Sequence, residues 1–191
     1  ETAFIHRQWA RVGYNPRRRK ATFRGVQFDN LRDGIFWQDN PIYNELQFSP
    51  FHMHDGTLAL YIDQLRQYRP DYLHGYPSAI DVLAEYVLRK NLQSSLPTYK
   101  AVLLGSEGCF RAQRQRIEAA FGTRAYSWYG HSERLILAGE CECEATYHHF
   151  PDYGVLEIID DNGRACDDEG DRGELVGTGL LNYSMPLIRY R

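Results

Sequence analysis

Lys100-Ala101-Val102-Leu103-Leu104-Gly105 decides the fold. A continuous apolar run without polar alternation suits a strand buried on both faces, as in a parallel sheet, and Gly105 ends it. Upstream, Asp71-Tyr72-Leu73-His74-Gly75 is a shorter run into a glycine turn. Between the two, Ile80, Leu83, Ala84, Val87 and Leu88 recur at helical spacing, and Ser78 with Asp81 three residues on gives a capping-box-like start. Downstream, a helix is expected over 111–121, with Gly122 at its C-terminal cap, followed by a strand over Arg124-Ala125-Tyr126-Ser127-Trp128-Tyr129. A further helix is expected over 57–69, with Leu58, Ile62 and Leu65 on one face and Pro70 as its stop. Strand–helix–strand–helix–strand is the order of an α/β parallel sheet with flanking helices.

The final third changes character. Val155-Leu156-Glu157-Ile158-Ile159 and Gly173-Glu174-Leu175-Val176 read as strands, joined through Asp160-Asp161-Asn162-Gly163 with its Asn-Gly hairpin signal. An antiparallel β region is therefore expected after the parallel one. Residues 1–50 hold many aromatics without a period. The chain is read as a lead-in over 1–50, an α/β portion with binding loops over 51–139 and a β-rich portion over 140–191.

The 191 residues are 43% hydrophobic and 25% charged, enough apolar material for a buried core. A formal net charge of -3 argues against a nucleic-acid binder. The dense positive run Arg17-Arg18-Arg19-Lys20 reads as a solvated loop after Pro16. No stretch reaches the ~18 apolar residues of a membrane helix, and the N-terminus has no signal-peptide pattern. Four cysteines in a chain of this length suggest a reducing cytoplasm, with thiols free or metal-bound. Glu1 is no initiator Met, and Leu187-Ile188-Arg189-Tyr190-Arg191 stops in what reads as a strand, so both ends are expected to be cut points.

Ligands in open α/β sheets bind beyond the carboxyl ends of the strands. Three such ends carry glycine beside polar groups: His74-Gly75-Tyr76-Pro77-Ser78, Gly105-Ser106-Glu107-Gly108 and Tyr129-Gly130-His131-Ser132-Glu133. In the third, Tyr129 offers a flat face for a base, Gly130 lets the chain pass close, Ser132 can donate to a phosphate oxygen and Glu133 is a hard ligand for Mg²⁺. From chemistry alone, a core tyrosine and a surface carboxylate explain the same residues equally well.

Tyr129-Gly130-His131-Ser132-Glu133 resembles the Tyr-Gly-x-Thr/Ser-Glu motif of adenylate-forming enzymes. Gly105-Ser106-Glu107 resembles the adenine loop that precedes it there. Gly173–Val176 followed by Met185–Arg191 resembles the strand pair that leads to a Thr-Gly-Asp motif. Arg69–Ser78 and Tyr147–Gly154 are similar to the phenylacetate–coenzyme A ligase branch, in particular its capsular-polysaccharide-associated members. The resemblance implies part of a large adenylating domain and an ATP- and Mg²⁺-dependent activation of a small carboxylic acid to an acyl-adenylate. Transfer to coenzyme A or another acceptor would follow. It implies that Gly105, Ser106, Glu107, Trp128, Tyr129 and Gly130 line the adenine site. Ser132 would touch the α-phosphate, Glu133 would hold Mg²⁺, and His74 and Tyr76 would lie near the acyl pocket. His131 occupies the variable position of its motif. That family's phosphate loop, ribose carboxylate and C-terminal catalytic Lys have no counterpart here, so this stretch is expected to be inactive alone. The rival reading is a non-catalytic binding or scaffolding module.

Cys141 and Cys143 are separated by one residue, near His148 and His149, and Cys166 follows. Thiolate and imidazole are good Zn²⁺ ligands, and Cys-x-Cys in a strand turns both sulfurs to one face. A reduced pair beside ordinary loop histidines is the alternative; a zinc-stabilised β domain with no nucleotide role is a third reading of the whole.

Overall fold

The computed structural model describes residues 1–25, 28, 34–166 and 168–191. In chain order the elements are α1 (Thr2–Ala10), β1 (Lys20–Phe23), β2 (Trp37–Asn40), β3 (Glu45–Phe48), α2 (Asp55–Tyr68), β4 (Tyr72–Gly75), α3 (Pro77–Arg89), β5 (Ala101–Leu104), α4 (Arg111–Phe121), β6 (Ala125–Gly130), β7 (Leu137–Glu140), β8 (Tyr147–His149), β9 (Gly154–Ile159) and β10 (Glu174–Gly179). They fall into two compact units. One comprises His6–Ser127; the other comprises Glu1–Ile5 and Trp128–Arg191. Among the described residues, no helix is long and apolar enough to cross a membrane.

In the unit of residues 6–127, β3, β1, β4, β5 and the start of β6 lie side by side and parallel, and β2 adds an antiparallel edge. Alternation sorts the strand side chains. Ala21, Phe23, Leu46, Phe48, Leu73, Val102 and Leu104 join one core with Leu58, Ile62, Leu65, Ile80, Leu83, Val87 and Ile117 of the three following helices. Phe23 and Phe48 stack at 4.7 Å in it. Truncating a fully buried residue such as Leu83 to alanine would cost about 2–5 kcal/mol. At β1 and β3 the other strand face is polar and nevertheless buried. Lys20 Nζ meets Glu45 Oε1 at 3.3 Å and lies 5.3 Å from the Trp9 ring centroid. Thr22 Oγ1 and Gln47 Nε2 also donate to the Glu45 carboxylate. Such satisfaction is what a carboxylate needs once water is gone.

Both expected helices after β4 and β5 form, and α4 ends at Gly122 with φ 64°. The start of α3 differs from the expectation. Its cap is Tyr76, with Pro77 in the first turn, a position where proline's missing N–H and fixed φ cost nothing. Asp81 does not close a capping box; it takes a bidentate pair from Arg116 of α4, at 2.6 and 2.7 Å. The basic run also divides: Arg17, Arg18 and Arg19 are exposed as expected, whereas Lys20 opens β1 and is buried.

In the other unit, β6 continues as an antiparallel partner of β7, and β7 pairs with β8. β9 and β10 form an antiparallel pair running from Glu174 opposite Ile159 to Gly179 opposite Gly154. The Asn162-Gly163 turn forms, with Gly163 at φ 80° and its N–H on Asp160 O at 3.0 Å. It does not join β9 to β10 directly. It returns the chain only to a single bridge between Ile159 and Ala165, and β10 begins at Glu174.

Candidate active site

In the unit of residues 6–127, the loops leaving β1, β4 and β5 meet at one end of the sheet. Arg24, just past β1, donates from Nη2 to Ser106 Oγ at 2.7 Å, and its guanidinium lies 5.7 Å from the Tyr76 ring centroid. Ser106 takes a left-handed φ of 68°, which costs a non-glycine residue energy and persists only where neighbours hold it. Glu107 accepts the Ser78 N–H at 3.2 Å. It thereby satisfies one of the first-turn amides of α3, which lacks a side-chain cap of its own. Gly105 is buried, with its N–H on Gly75 O at 3.3 Å. A Cβ on Gly75 would stand 2.6 Å from Phe23 O, so β4 and β1 approach there as only glycine allows.

His74 lies on the same sheet face as Lys20 and Thr22 and is 3% exposed. Its Nδ1 is 2.9 Å from Leu103 O, so Nδ1 carries the proton and donates. Trp9 packs against the ring at 4.8 Å. Burial, aided by the charge of Lys20, lowers its pKa to about 3, and the ring is therefore neutral. Tyr76 is half-buried, and a Cβ on Gly25 would lie 3.3 Å from its hydroxyl.

In the other unit, Trp128 is buried with Leu137 and Tyr153, and its indole N–H has no hydrogen-bond partner among the described residues. Gly130 is required beside it: a Cβ there would sit 2.8 Å from the Trp128 ring and 3.3 Å from Leu137. Tyr129 alternates to the opposite, partly exposed side. It lines a cavity of about 290 Å³ with His131, Glu133, Ile136, Leu175 and Tyr190, a volume near the lower end of small-molecule sites. His131 Nδ1 is 2.9 Å from Glu133 Oε2, and its Nε2 accepts the Ile136 N–H at 3.1 Å. The ring is pinned from both sides, with its Nδ1 proton on the carboxylate. That hydrogen bond, then one from Glu133's own N–H, hold the Glu133 carboxyl below its usual pKa. Ser132 between them is exposed. The result is an aromatic face and an oriented, charged carboxylate opening on one cavity, an arrangement that can hold a planar ring and a hard cation.

The thiol and imidazole residues are sorted differently from the sequence expectation. Cys141, Glu144 and His148 converge, and no other such group occurs among the described residues. Cys143 is exposed and outside the group. His149 follows His148 along β8 and so points to the opposite face. Cys166 places its Sγ 3.7 Å from Arg172 O. The one-face reading of Cys141 and Cys143 fails because β7 ends at Glu140, so no strand alternation governs them. Arg24 and His131 were not singled out as site residues. Arg24 reaches a partner 82 positions away, and His131 sits at a motif position without a fixed residue type.

No known protein-family model matches the chain. It is 30% identical to Protein CapK of Staphylococcus aureus over 162 residues, which is 82% of this chain and 33% of that protein. It is also 30% identical to a phenylacetate-coenzyme A ligase of Aromatoleum evansii over 142 residues, or 73% of this chain and 32% of that enzyme. The chain is a homologue of CapK and the phenylacetate–coenzyme A ligases. It spans about a third of the length of these CapK and ligase relatives. The fold agrees. A 2-hydroxyisobutyryl-CoA ligase in complex with 2-HIB-AMP and CoA superposes with a TM-score of 0.72 at 20% identity, covering 98% of this chain and 42% of that one. A benzoate CoA ligase from Burkholderia xenovorans gives 0.59 at 16% identity, covering 98% and 38%. Like the ligase homologues' fold, the chain joins a mostly parallel sheet to antiparallel strands.

Proposed function

We infer that this chain contributes nucleotide- and metal-binding loops to an AMP-forming acid–thiol ligase, which activates a small carboxylic acid with ATP and passes the acyl group to coenzyme A. One observation carries the reading: in a homologue of coenzyme A ligases, Glu133 is held charged by His131 in a cavity shared with Tyr129.

Tyr129 would stack on adenine, with Gly130 giving clearance beside it. Gly105, Ser106 and Glu107 would supply nucleotide contacts from the strand-exit loop of their own unit, and buried Trp128 would back the tyrosine's strand. Ser132 would donate to an α-phosphate oxygen. His74 and Tyr76 would shape the acyl pocket, where a neutral, buried His74 gives a wall and not a charge. Glu133 suits Mg²⁺: it is a hard oxygen donor whose carboxyl stays ionised. Bound there, Mg²⁺ would offset phosphate charge. The substrate carboxylate oxygen attacks the α-phosphorus, the bond to the bridging oxygen of the β-phosphate breaks, and pyrophosphate leaves. The coenzyme A thiolate then displaces AMP from the acyl carbon. No protein nucleophile is required, so the chain's residues orient substrates and stabilise charge. ATP and coenzyme A are abundant in the cytoplasm, which fits activity there.

The test is acid-dependent ATP–pyrophosphate exchange by the full-length protein over a panel of aromatic and aliphatic acids. Exchange with at least one acid, lost in Glu133→Gln, is the expected result. A well-folded protein that exchanges with none of them would instead be a binding module.

A further inference from the structure

We propose that Cys141, Glu144 and His148 form a binding site for one Zn²⁺ ion on the loop between β7 and β8, with solvent in the fourth position. The site is separate from the Glu133 cavity and uses none of its residues. Cys141 Sγ, a Glu144 carboxylate oxygen and a His148 ring nitrogen all lie within 4.8 Å of one another. Glu144 Oε1 and His148 Nε2 are 3.8 Å apart. Around a tetrahedral ion with bonds of about 2.0–2.3 Å, neighbouring donors stand roughly 3.5 Å apart. Glu144 and His148 are both on the surface, where their side chains have room to rotate toward that spacing.

The sulfur is the fixed point. Cys141 is 5% exposed just past the end of β7, with the Cys143 N–H pointing at its Sγ from 3.4 Å and the Glu144 carbonyl oxygen 3.9 Å away. His148 is fixed by β8, where Gly139 pairs with it. Between them, residues 142–146 are all exposed and form no helix or strand. An ion here would tie a loop that has no apolar anchor of its own. Thiolate, imidazole and carboxylate together select zinc over magnesium or calcium. On binding, the Cys141 thiol proton passes to solvent and the thiolate takes the ion, so affinity falls as pH falls.

The experiment uses the full-length protein, free of a histidine tag and purified without chelator. Zn²⁺ is measured by elemental analysis and by competition with a chromophoric chelator, and Co²⁺ is then substituted as a spectroscopic probe. One ion per chain and a thiolate-to-cobalt charge-transfer band are expected, with the band lost in Cys141→Ser. His148→Ala and Glu144→Gln should each weaken Zn²⁺ by more than about a hundredfold, beyond what loss of an outer-sphere partner costs. Cys143→Ser should bind as wild type. Stoichiometry near zero, a cobalt spectrum without a sulfur band, or equal loss in Cys143→Ser and Cys141→Ser would overturn the site. His148→Ala replaces an exposed side chain and decides the matter even where Cys141→Ser fails to fold; wild-type affinity in it is likewise fatal.

Discussion

His131 presents the Nδ1 proton to Glu133 Oε2 at 2.9 Å while its Nε2 takes the Ile136 N–H. One imidazole thus reads the backbone on one side and orients a carboxylate on the other. The carboxylate is the group proposed to hold the metal, so its replacement is the most direct test. Glu133→Gln should cut adenylation by at least ~10²-fold, because metal-based charge neutralisation supplies several kcal/mol and about 2.7 kcal/mol gives that factor. Exchange rates across a Mg²⁺ titration measure it.

The imidazole itself should matter less for folding than for the carboxylate. His131→Ala removes the main cause of the lowered Glu133 pKa, so that pKa should rise toward the ordinary carboxylate range. Glu133 would then stay charged over a narrower pH range, losing its charge earlier as pH falls. The Mg²⁺ concentration for half-maximal adenylation should increase about ten- to a hundredfold, the usual cost of losing an outer-sphere partner. Carboxyl NMR titration and the Mg²⁺ dependence check the two halves separately.

Tyr129→Ala should weaken ATP by about ten- to a hundredfold, since base–aromatic stacking is worth roughly 1–3 kcal/mol. Affinity for the carboxylic acid should change little. Isothermal titration with each substrate in turn distinguishes a base-stacking role from an acyl-pocket one.

Gly130→Ala is a packing test. The new Cβ would stand 2.8 Å from the Trp128 ring, so the indole must shift in a packed cluster. Overpacking of this kind costs about 1–3 kcal/mol. Denaturant midpoints read it, and Trp128 fluorescence reports the displaced ring.

His74 gives a pH signature. Its folded pKa of about 3 lies below the ordinary value of 6.5, so between those values the unfolded chain holds a proton that the folded chain does not. Stability therefore falls as pH drops through that window, by about 1.4 kcal/mol per pH unit, and this contribution is flat above it. His74→Gln should remove that component of the slope in urea denaturation at pH 4, 5 and 6.

The sequence exposed the parallel core because its signals are local. Ile80, Leu83, Ala84 and Val87 repeat within one helix, and α4 ends at a glycine as its sequence demands. Residues 1–50 resisted reading because their logic is long-range. Lys20 and Thr22 lie on a buried strand face that is tolerable only once Glu45 arrives from β3. Asn162-Gly163 was recognised as a turn, but local turn chemistry does not say which strand the chain pairs with next. At the site, the motif drew attention to Glu133. The partner that orients it was hidden at a variable position, and Arg24 was hidden by 82 residues of separation from Ser106.

Glu107 on the Ser78 amide has an effect beyond capping. A helix start is ordinarily an attractive berth for phosphate, since its free amides and dipole favour negative charge. At α3 a carboxylate already sits in that berth. A phosphate drawn to this helix start would compete with Glu107 for the Ser78 amide.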